Sequence, residues 1–329
     1  MTTPTKTAQQ QAAVIFNPIK VDLPKLKKAI NAAAKAADWA PTIWFPTSES
    51  DPGQKVAASA IRRGADVVLV AGGDGTVRAV AEGLRDSKTA MAVLPSGTGN
   101  LLARNLDLPV NSMDDAIEIA FNGKDHQIDL GIAAITRENG DREEHVFLVM
   151  AGLGIDAKMI ANTRSDLKKA VGWLAYIDGT IRSLPSLEPV RLTYSRDKGP
   201  KKQLDVHSIM IGNCGSLPGG LLLIPDAKPD DGILDIVALR PQGAFGWLRV
   251  WNKVAWENGV LRKTAVGRKI IDLSRDVKDV TYWKGKDLVI DVEKPQEFQL
   301  DGDEFGEATH VHTWIDGGAL TVRVAATDR

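Results

Sequence analysis

The sequence contains little of several features that would assign it quickly to a class of protein. Cys214 is the only cysteine among 329 residues, which excludes an internal disulfide and fits a reducing compartment. No apolar run approaches the roughly 20 residues that a membrane-spanning helix needs, and the polar segment up to Gln11 lacks the apolar core of a signal peptide. The formal net charge of −1 gives no electrostatic argument for nucleic acid. We therefore expect a cytoplasmic protein with no nucleic-acid partner, which meets a membrane only peripherally.

The first part of the chain alternates strands with helices. Apolar, β-branched runs predict strands at 12–16, 42–45, 67–71 and 90–94. Helical spacing of apolar residues predicts helices at 23–37, 54–63, 76–86, 100–106 and 113–121. Such alternation is typical of a parallel, doubly wound sheet, whose ligands bind at the carboxyl ends of the strands. We therefore predict an α/β domain over residues 1–127.

From about His126 onward β segments predominate. They are predicted at 127–135, 146–151, 190–194, 206–212, 233–239, 288–292, 298–300 and 320–324, and turns rich in Gly, Pro and Asp separate them. Two helical stretches, at about 165–184 and 243–261, interrupt the series. This pattern predicts a second domain over residues 128–329, built mostly of β-strands as a sandwich.

The most informative segment is 67–76, Val-Val-Leu-Val-Ala-Gly-Gly-Asp-Gly-Thr, in which a strand stops at a glycine-rich turn before a helix. The glycines let the backbone approach a bulky anion, and the helix N-terminus points N–H groups at it. Asp74 suits this position only if a metal or a hydroxyl proton offsets its charge. The alternative is a structural turn capped by Asp74 or Thr76. The turn is neither a dinucleotide fingerprint nor a Walker loop, and its context favours phosphate binding.

A second turn of the same type, Pro-Ser-Gly-Thr-Gly-Asn at 95–100, follows one βαβ unit later. Two glycine-rich turns at neighbouring strand ends can close on one nucleotide, which favours ATP. Arg104 lies one helical turn beyond Asn100, where it either anchors a phosphate or pairs with Asp107.

These two turns, with Leu-Leu-Ala-Arg-Asn-Leu at 101–106, resemble the diacylglycerol kinase catalytic-domain family, which includes bacterial soluble lipid kinases and the sphingosine and ceramide kinases. Asn17-Pro18, the segment 225–235 and Gln-Leu-Asp-Gly-Asp at 299–303 match further family motifs, so the resemblance covers nearly the whole chain. It implies an NAD kinase/diacylglycerol kinase-like fold with the active site in the cleft between the α/β domain and the β-sandwich. It also implies ATP and Mg²⁺ as co-substrates and a lipid hydroxyl as the acceptor.

The resemblance also implies roles for individual residues. The expected ATP contacts are Asn17, Pro18, Thr47, Gly72, Gly73, Asp74, Gly75, Thr76, Val77, Arg78, Gly97, Thr98 and Asn100. After Asn17-Pro18, Ile19 and Lys20 replace the small, Gly-containing continuation that is usual in the family, and Lys20 could supply charge there instead.

The catalytic base is expected in the segment Asp301-Gly302-Asp303, which falls on the Asp-Gly-Glu of the family. Because the third residue is Asp here, the choice between Asp301 and Asp303 stays open. From the residues alone we favour a hairpin turn at Asp301-Gly302, whereas the resemblance favours catalysis. Asp74 is the acid best placed to hold a metal at the phosphates.

A second-domain Mg²⁺ site of the bacterial members falls on Asp231 with the backbone carbonyls of Lys228 and Ile233. An ordinary turn at 230–232 is the alternative interpretation.

Two further questions stay open at this stage. The apolar residues 221–224 and the Trp-rich stretch 245–256 either form an interfacial patch for a membrane or are core residues at helical spacing, and we favour the core for most of them. An NAD kinase-like enzyme, which shares Gly-Gly-Asp-Gly-Thr, and a non-catalytic nucleotide- or lipid-binding protein are the alternatives to a lipid kinase. The turn at Gly97–Arg104 favours the lipid kinase, and the retained Asp74, Asp301 and Asp303 favour an enzyme. A homodimer is neither required nor excluded.

Overall fold

The computed structural model describes residues 9–154, 189–216, 224, 227–241, 246 and 279–326, and it divides into two compact units. Unit 1 holds the described residues up to Asp129 and those from Gly317 onward, and unit 2 holds those from Leu130 to Asp316. The division at Asp129 lies close to the boundary expected at 127. The C-terminal segment packs with unit 1, although its position in the sequence suggested the second domain.

Unit 1 is a parallel sheet flanked by helices, as predicted. Its strands are β1 (Ala12–Phe16), β2 (Ile43–Pro46), β3 (Val67–Gly72) and β4 (Ala90–Pro95). Its helices are α1 (Leu23–Ala36), α2 (Gln54–Arg62), α3 (Asp74–Leu84), α4 (Leu101–Asn105) and α5 (Met113–Asn122). The strand order is β2-β1-β3-β4, with all neighbours parallel. All four strands therefore end at the same edge of the sheet.

Apolar packing explains why these residues form a covered sheet. Every side chain of β1 and β3 is buried, as is usual for parallel strands covered on both faces. Ile30 of α1 and Phe121 of α5 join the core on one face. The start of α1 is fixed by Asp22, whose carboxylate accepts a hydrogen bond from the Lys25 N–H at 3.1 Å. The loops that leave the carboxyl ends of the strands thus rest on a rigid support.

Unit 2 is built of antiparallel strands, in agreement with the predicted sandwich. The strands are β5 (Lys124–Thr136), β6 (Arg142–Phe147), β7 (Met150–Gly154), β8 (Val190–Arg196), β9 (Lys202–Val206), β10 (Ser208–Gly212), β11 (Leu234–Leu239), β12 (Val280–Gly285), β13 (Asp287–Leu300) and β14 (Asp303–Val324). Their order is β12-β11-β10-β7-β13-β14, with β8 beside β13 and β9 beside β8. The chain passes between the units within β5 and β14, and Val322 of β14 pairs in parallel with Met91 of β4.

The structure differs from the predicted elements at several places in unit 2. The strand expected at 146–151 is divided, because β6 ends at Phe147 and β7 begins at Met150. The strands expected at 288–292 and 298–300 are one strand, β13, and the sequence pattern did not predict β9, β12 or most of β14. The helices expected at 165–184 and 243–261 lie outside the described residues, apart from Gly246.

Candidate active site

The first glycine-rich turn joins β3 to α3 in unit 1. Gly72 is tightly enclosed, since a Cβ there would lie 2.6 Å from the Thr76 side chain. Gly73 precedes the helix with φ −83° and ψ −179°, a conformation that any residue can adopt. A Cβ at Gly73 would meet no described atom within 4 Å. The packing and backbone conformation of the protein therefore do not require glycine at position 73. Such a glycine is expected in a turn that leaves room for a bound group.

The second turn follows β4 and touches the first. The Asn100 side chain closes it, since its Oδ1 accepts from the Gly97 N–H at 3.1 Å and its Nδ2 donates to the Gly97 carbonyl at 3.0 Å. A Cβ at Gly97 would approach the Cα of Gly73 to 3.0 Å. Two loops expected to contact one nucleotide are thus brought together at the sheet edge, and their close approach depends on glycine.

Asp74 connects the two turns. Its Oδ1 accepts a hydrogen bond from the Leu101 N–H at 2.6 Å, and a Cβ at Gly99 would overlap its Oδ2. Asp74 therefore caps the first turn of α4, a structural role that the sequence did not reveal. Arg104 donates from Nε to the Gly99 carbonyl at 2.8 Å, so its guanidinium braces the same turn.

The remaining nucleotide contacts expected in unit 1 lie at the same sheet edge. Asn17 follows β1, and its Oδ1 accepts from the Ile19 N–H at 3.0 Å while its carbonyl accepts from the Lys20 N–H at 3.0 Å. These bonds make the segment from Asn17 through Pro18 to Lys20 a closed turn. Thr47, which follows β2, is buried, and its N–H donates to the Phe16 carbonyl at 2.9 Å.

The helix after the first turn contributes the other predicted residues. Thr76, Val77 and Arg78 are buried on α3, and Gly75 lies in its first turn. Because the first N–H groups of a helix lack partners within the helix, this end suits an anion. Thr98 lies in the second turn, between Gly97 and Gly99. The structure therefore brings every predicted nucleotide residue to one edge of one sheet.

Asp301 occupies a buried position in unit 2, at the turn between β13 and β14. Its carboxylate accepts three backbone hydrogen bonds, from the N–H groups of Leu148 at 2.9 Å, Val149 at 2.8 Å and Met150 at 3.0 Å. Its own N–H donates to the Met150 carbonyl at 2.8 Å. The gap between β6 and β7 thus exists because these peptides turn their donors to Asp301 rather than to a neighbouring strand.

A second side chain, which the sequence analysis missed, holds the same peptides from the other side. Asn213 is fully buried after β10, and its Nδ2 donates to the Leu148 carbonyl at 3.0 Å. The N–H groups of Asn213 and Cys214 both donate to the Val149 carbonyl. The only sequence signal was an Asn directly after a buried strand, which is too common to single out.

Cys214 completes this polar cluster as a neutral thiol. Its Sγ donates to the Leu148 carbonyl at 3.4 Å. Burial raises the pKa of the Cys214 thiol well above its ordinary value, and the negative charges of Asp301 and Asp230 add to the shift. The thiolate is therefore disfavoured, and Cys214 is a packed residue rather than a nucleophile.

Asp303 has a different environment from Asp301. It is exposed and begins β14, opposite Leu300. The two residues of the turn between them, Asp301 and Gly302, have φ of 51° and 89°, the positive values of a type I′ hairpin. The hairpin interpretation of this segment is therefore confirmed, and it leaves Asp303 exposed at the turn while Asp301 is buried.

The expected metal site in unit 2 lies in the turn before β11. Asp231 Oδ1 accepts from the Ile233 N–H at 3.1 Å, and Gly232 has φ +69°. The oxygen donors there would be the Asp231 carboxylate and the carbonyls of Lys228 and Ile233, all hard ligands of the kind that Mg²⁺ prefers. Within the described ranges, no group of three or more His, Cys, Asp or Glu side chains is arranged to hold a metal. A metal in this turn would therefore rely on the Asp231 carboxylate together with carbonyl oxygens and water.

The surfaces predicted for lipid access lie mostly outside the described residues, since 221–223 and 247–256 are not described. Among the residues that are described, no helix is long and apolar enough to cross a membrane.

Comparison with known proteins adds two family matches. Residues 11–133 match the family described as Diacylglycerol kinase catalytic domain, and residues 148–324 match the YegS C-terminal NAD kinase beta sandwich-like domain. The first match ends at residue 133, close to the boundary between the units, the second begins at residue 148, and together they span most of the chain.

Individual relatives agree with this assignment. A Pseudomonas putida protein named "Probable lipid kinase YegS-like" is 35% identical over 207 residues, which is 62% of this chain and 66% of that protein. The diacylglycerol kinase of Bacillus subtilis is 29% identical over 252 residues, 76% of this chain and 75% of the relative. The crystal structure of a diacylglycerol kinase from Bacillus anthracis has a TM-score of 0.64 at 22% identity, covering 97% of this chain and 98% of the other. That structural likeness supports the fold.

Proposed function

Because the chain belongs to the diacylglycerol kinase catalytic-domain family, we propose that it is an ATP-dependent lipid kinase. It transfers the γ-phosphoryl group of ATP to the hydroxyl of diacylglycerol or a related lipid alcohol. The names of its relatives, lipid kinase and diacylglycerol kinase, support this substrate class. The observation that carries the proposal is the pair of touching glycine-rich turns. In the first turn, the protein's own packing does not require glycine at position 73.

The phosphates of ATP would bind to unit 1. The open space beside Gly73 and the N-terminus of α3 supply room and N–H donors for an anion. The turn closed by Asn100 supplies the second wall, and Asp74 fixes its position through Leu101. Phosphoryl transfer mainly requires positioning of the phosphates and neutralisation of their charge. These residues would supply the positioning.

Mg²⁺, when bound, supplies charge neutralisation at the phosphates. Asp74 is the carboxylate that we assign to it in unit 1, in addition to its bond to Leu101. Asp231 with the carbonyls of Lys228 and Ile233 would hold Mg²⁺ in unit 2, in the turn before β11 that the bond from the Ile233 N–H to Asp231 already orders.

We assign the role of general base to Asp303 and a positioning role to Asp301. Three N–H donors already engage the Asp301 carboxylate, and it is 7% exposed. A base must reach the substrate hydroxyl, and Asp303 is exposed. The hydroxyl oxygen forms a bond to the γ-phosphorus while the bond to the β–γ bridging oxygen breaks, ADP leaves with that electron pair, and the hydroxyl proton passes to Asp303.

Asn213 is assigned the same kind of positioning role as Asp301. It holds the peptides 148–149 through their carbonyls while Asp301 holds them through their N–H groups. The turn that presents Asp303 is thereby fixed to the core of unit 2.

The assignment of the base is tested by steady-state kinetics on purified variants. Asp303→Asn should lower kcat about 100-fold or more, the usual contribution of a general base. Asp303→Glu, which restores the residue that is usual in the family motif, should retain most activity. Glu304→Gln, the neutral change at the next residue, serves as the control. Wild-type kcat in Asp303→Asn would remove Asp303 from the mechanism.

A further inference from the structure

Basic side chains gather where the β8–β9 hairpin of unit 2 meets the turn that leads from β12 into β13. We call this the basic hairpin surface, and its exposed cations are Arg196, Lys198, Lys201, Lys202, Lys284 and Lys286. The acids among them are Asp197, Asp235, Asp287 and Asp291. Six cations against four carboxylates give a local net charge of +2, whereas the whole chain carries −1.

The scaffold beneath this surface is rigid. Asp197, in the β8–β9 turn, accepts from the N–H groups of Lys286 at 2.7 Å and Asp287 at 3.1 Å, and its own N–H donates to the Asp287 carbonyl. The β12–β13 turn is thus joined to the β8–β9 turn. The Lys286 carbonyl accepts from the Ile315 N–H at 3.0 Å, which adds β14. Asp197 accepts hydrogen bonds from backbone N–H groups and pairs with Arg196 at 4.0 Å. Neutralising the lysines would therefore leave the scaffold intact.

Each carboxylate of the surface already has a partner, which is either a histidine of β14 or another cation of the surface. Asp287 bonds to His312 at 2.7 Å, and Asp291 bonds to His310 at 2.7 Å and to Lys201 at 3.3 Å. Asp235 pairs with Lys284 at 3.2 Å. Among the residues that the structure describes, Lys198, Lys202 and Lys286 form no ion pair. Their charges are therefore available to an external anion.

Aromatic rings lie on the strands that end in this surface. Tyr194 of β8 stacks on Trp283 of β12, with ring centroids 5.0 Å apart. Tyr194 lies two residues before Arg196, and Trp283 lies directly before Lys284. On β14, the rings of His312 and Trp314 lie with their centroids 4.8 Å apart. Tyr194 and Trp283 pack against the hydrophobic core of unit 2, so these rings support the strands that carry the basic residues.

We propose that the basic hairpin surface docks the protein on an anionic lipid bilayer, with Lys198, Lys202 and Lys286 as its principal contacts. This inference rests on the proposed function, because a kinase whose substrate is a membrane lipid must meet the bilayer. The lysine charges match phosphate head groups, and their fixed scaffold presents them together. Each lysine near an anionic surface strengthens binding about fivefold, so three together supply about 100-fold.

The test compares two triple variants of the full chain by sedimentation with vesicles. Lys198→Gln/Lys202→Gln/Lys286→Gln should bind vesicles of phosphatidylglycerol and phosphatidylcholine about 100-fold more weakly than the wild type, whereas phosphatidylcholine vesicles alone should bind neither protein well. Lys25→Gln/Lys28→Gln/Lys35→Gln removes three exposed lysines of α1 and should bind anionic vesicles within about twofold of the wild type.

Two outcomes would overturn the inference. Equal losses in both triple variants would show that diffuse charge, not this surface, mediates binding. Unchanged vesicle affinity in the first variant, including a case in which it loses RNA binding instead, would assign the surface to another partner. Phosphorylation of lipid in mixed detergent micelles should be the same in the wild type and the first variant. Its absence in the wild type would overturn the proposed function, and that result is separate from any vesicle measurement.

Discussion

At the scale of single residues, Asp301 and Asp303 have distinct environments although one glycine separates them. Asp301 is buried among three N–H donors, and Asp303 is exposed. Loss of a charged hydrogen-bond acceptor in a buried site leaves its donors unsatisfied, which costs more than the hydrogen bonds contributed.

Asp301→Asn should therefore lower the free energy of unfolding by about 2–3 kcal/mol. This substitution tests the hydrogen bonds alone, because Asn tolerates positive φ as Asp does. The backbone conformation at φ 51° would therefore not cause a loss of stability. Urea denaturation followed by circular dichroism measures it.

The matched variant Asp303→Asn alters an exposed group and should change the free energy of unfolding by less than about 0.5 kcal/mol. Equal stability losses in the two variants would contradict the positioning role of Asp301.

Cys214 offers a second prediction at this scale. Because burial raises the pKa of its thiol, the native protein should react very slowly with a disulfide reagent such as 5,5′-dithiobis(2-nitrobenzoate) at pH 8. Unfolding in guanidinium restores an ordinary thiol and should give one equivalent at once, since the chain has a single cysteine. Rapid reaction of the native protein would show that the cluster around residues 148–150 opens.

The sequence could predict the local part of this site and not the rest. The Asp-Gly pair correctly indicated a hairpin, and the positive φ values of Asp301 and Gly302 confirm it. The three donors to Asp301 come from residues about 150 positions earlier in the chain. No spacing in the sequence records such a partner, and for the same reason Asn213 was missed.

At the scale of elements, the two glycine-rich turns differ in what limits their glycines. A Cβ at Gly99 would overlap the Asp74 carboxylate, whereas a Cβ at Gly73 would meet no described atom. The protein's own packing requires glycine at position 99. At position 73, we propose that the bound phosphate requires it.

Gly73→Ala should accordingly leave the melting temperature within about 2 °C of the wild type and raise KM for ATP about tenfold or more, because the added methyl occupies the place of a phosphate oxygen. Gly99→Ala, the matched change in the other turn, should lower both the melting temperature and the activity. An unchanged KM for ATP in Gly73→Ala would argue against phosphate binding at this turn.

Strand patterns were reliable where burial is regular and failed where pairing is irregular. The buried runs of β1, β3 and β4 were predicted within one residue at each end. In β13 the register shifts between Asp291 and Gln296, around Pro295, and such a bulge made one strand look like two. β14 contains three glycines and several acidic residues, which are depleted in strands, so its strand conformation depends on its neighbours rather than on its own residues.

At the scale of the whole molecule, the two-domain plan was predictable because the change from alternating to β-rich pattern is global. The return of the C-terminal segment to unit 1 was not. A single pairing of Val322 with Met91 marks that return, and a short apolar strand in the sequence fits either unit equally well.

Function at this scale depends on which alcohol accepts the phosphoryl group. The family that matches residues 148–324 is described as an NAD kinase beta sandwich-like domain. The fold alone therefore does not distinguish a lipid acceptor from NAD. The acceptor hydroxyl must be identified chemically.

The most direct test is transfer of ³²P from [γ-³²P]ATP to a panel of acceptors in mixed micelles, comparing diacylglycerol, monoacylglycerol, ceramide, sphingosine and NAD. Asp303→Asn is the control for contaminating kinases. We expect Mg²⁺-dependent label in a lipid product that the variant fails to form. Label in NAD alone, or no label in any acceptor, would contradict it.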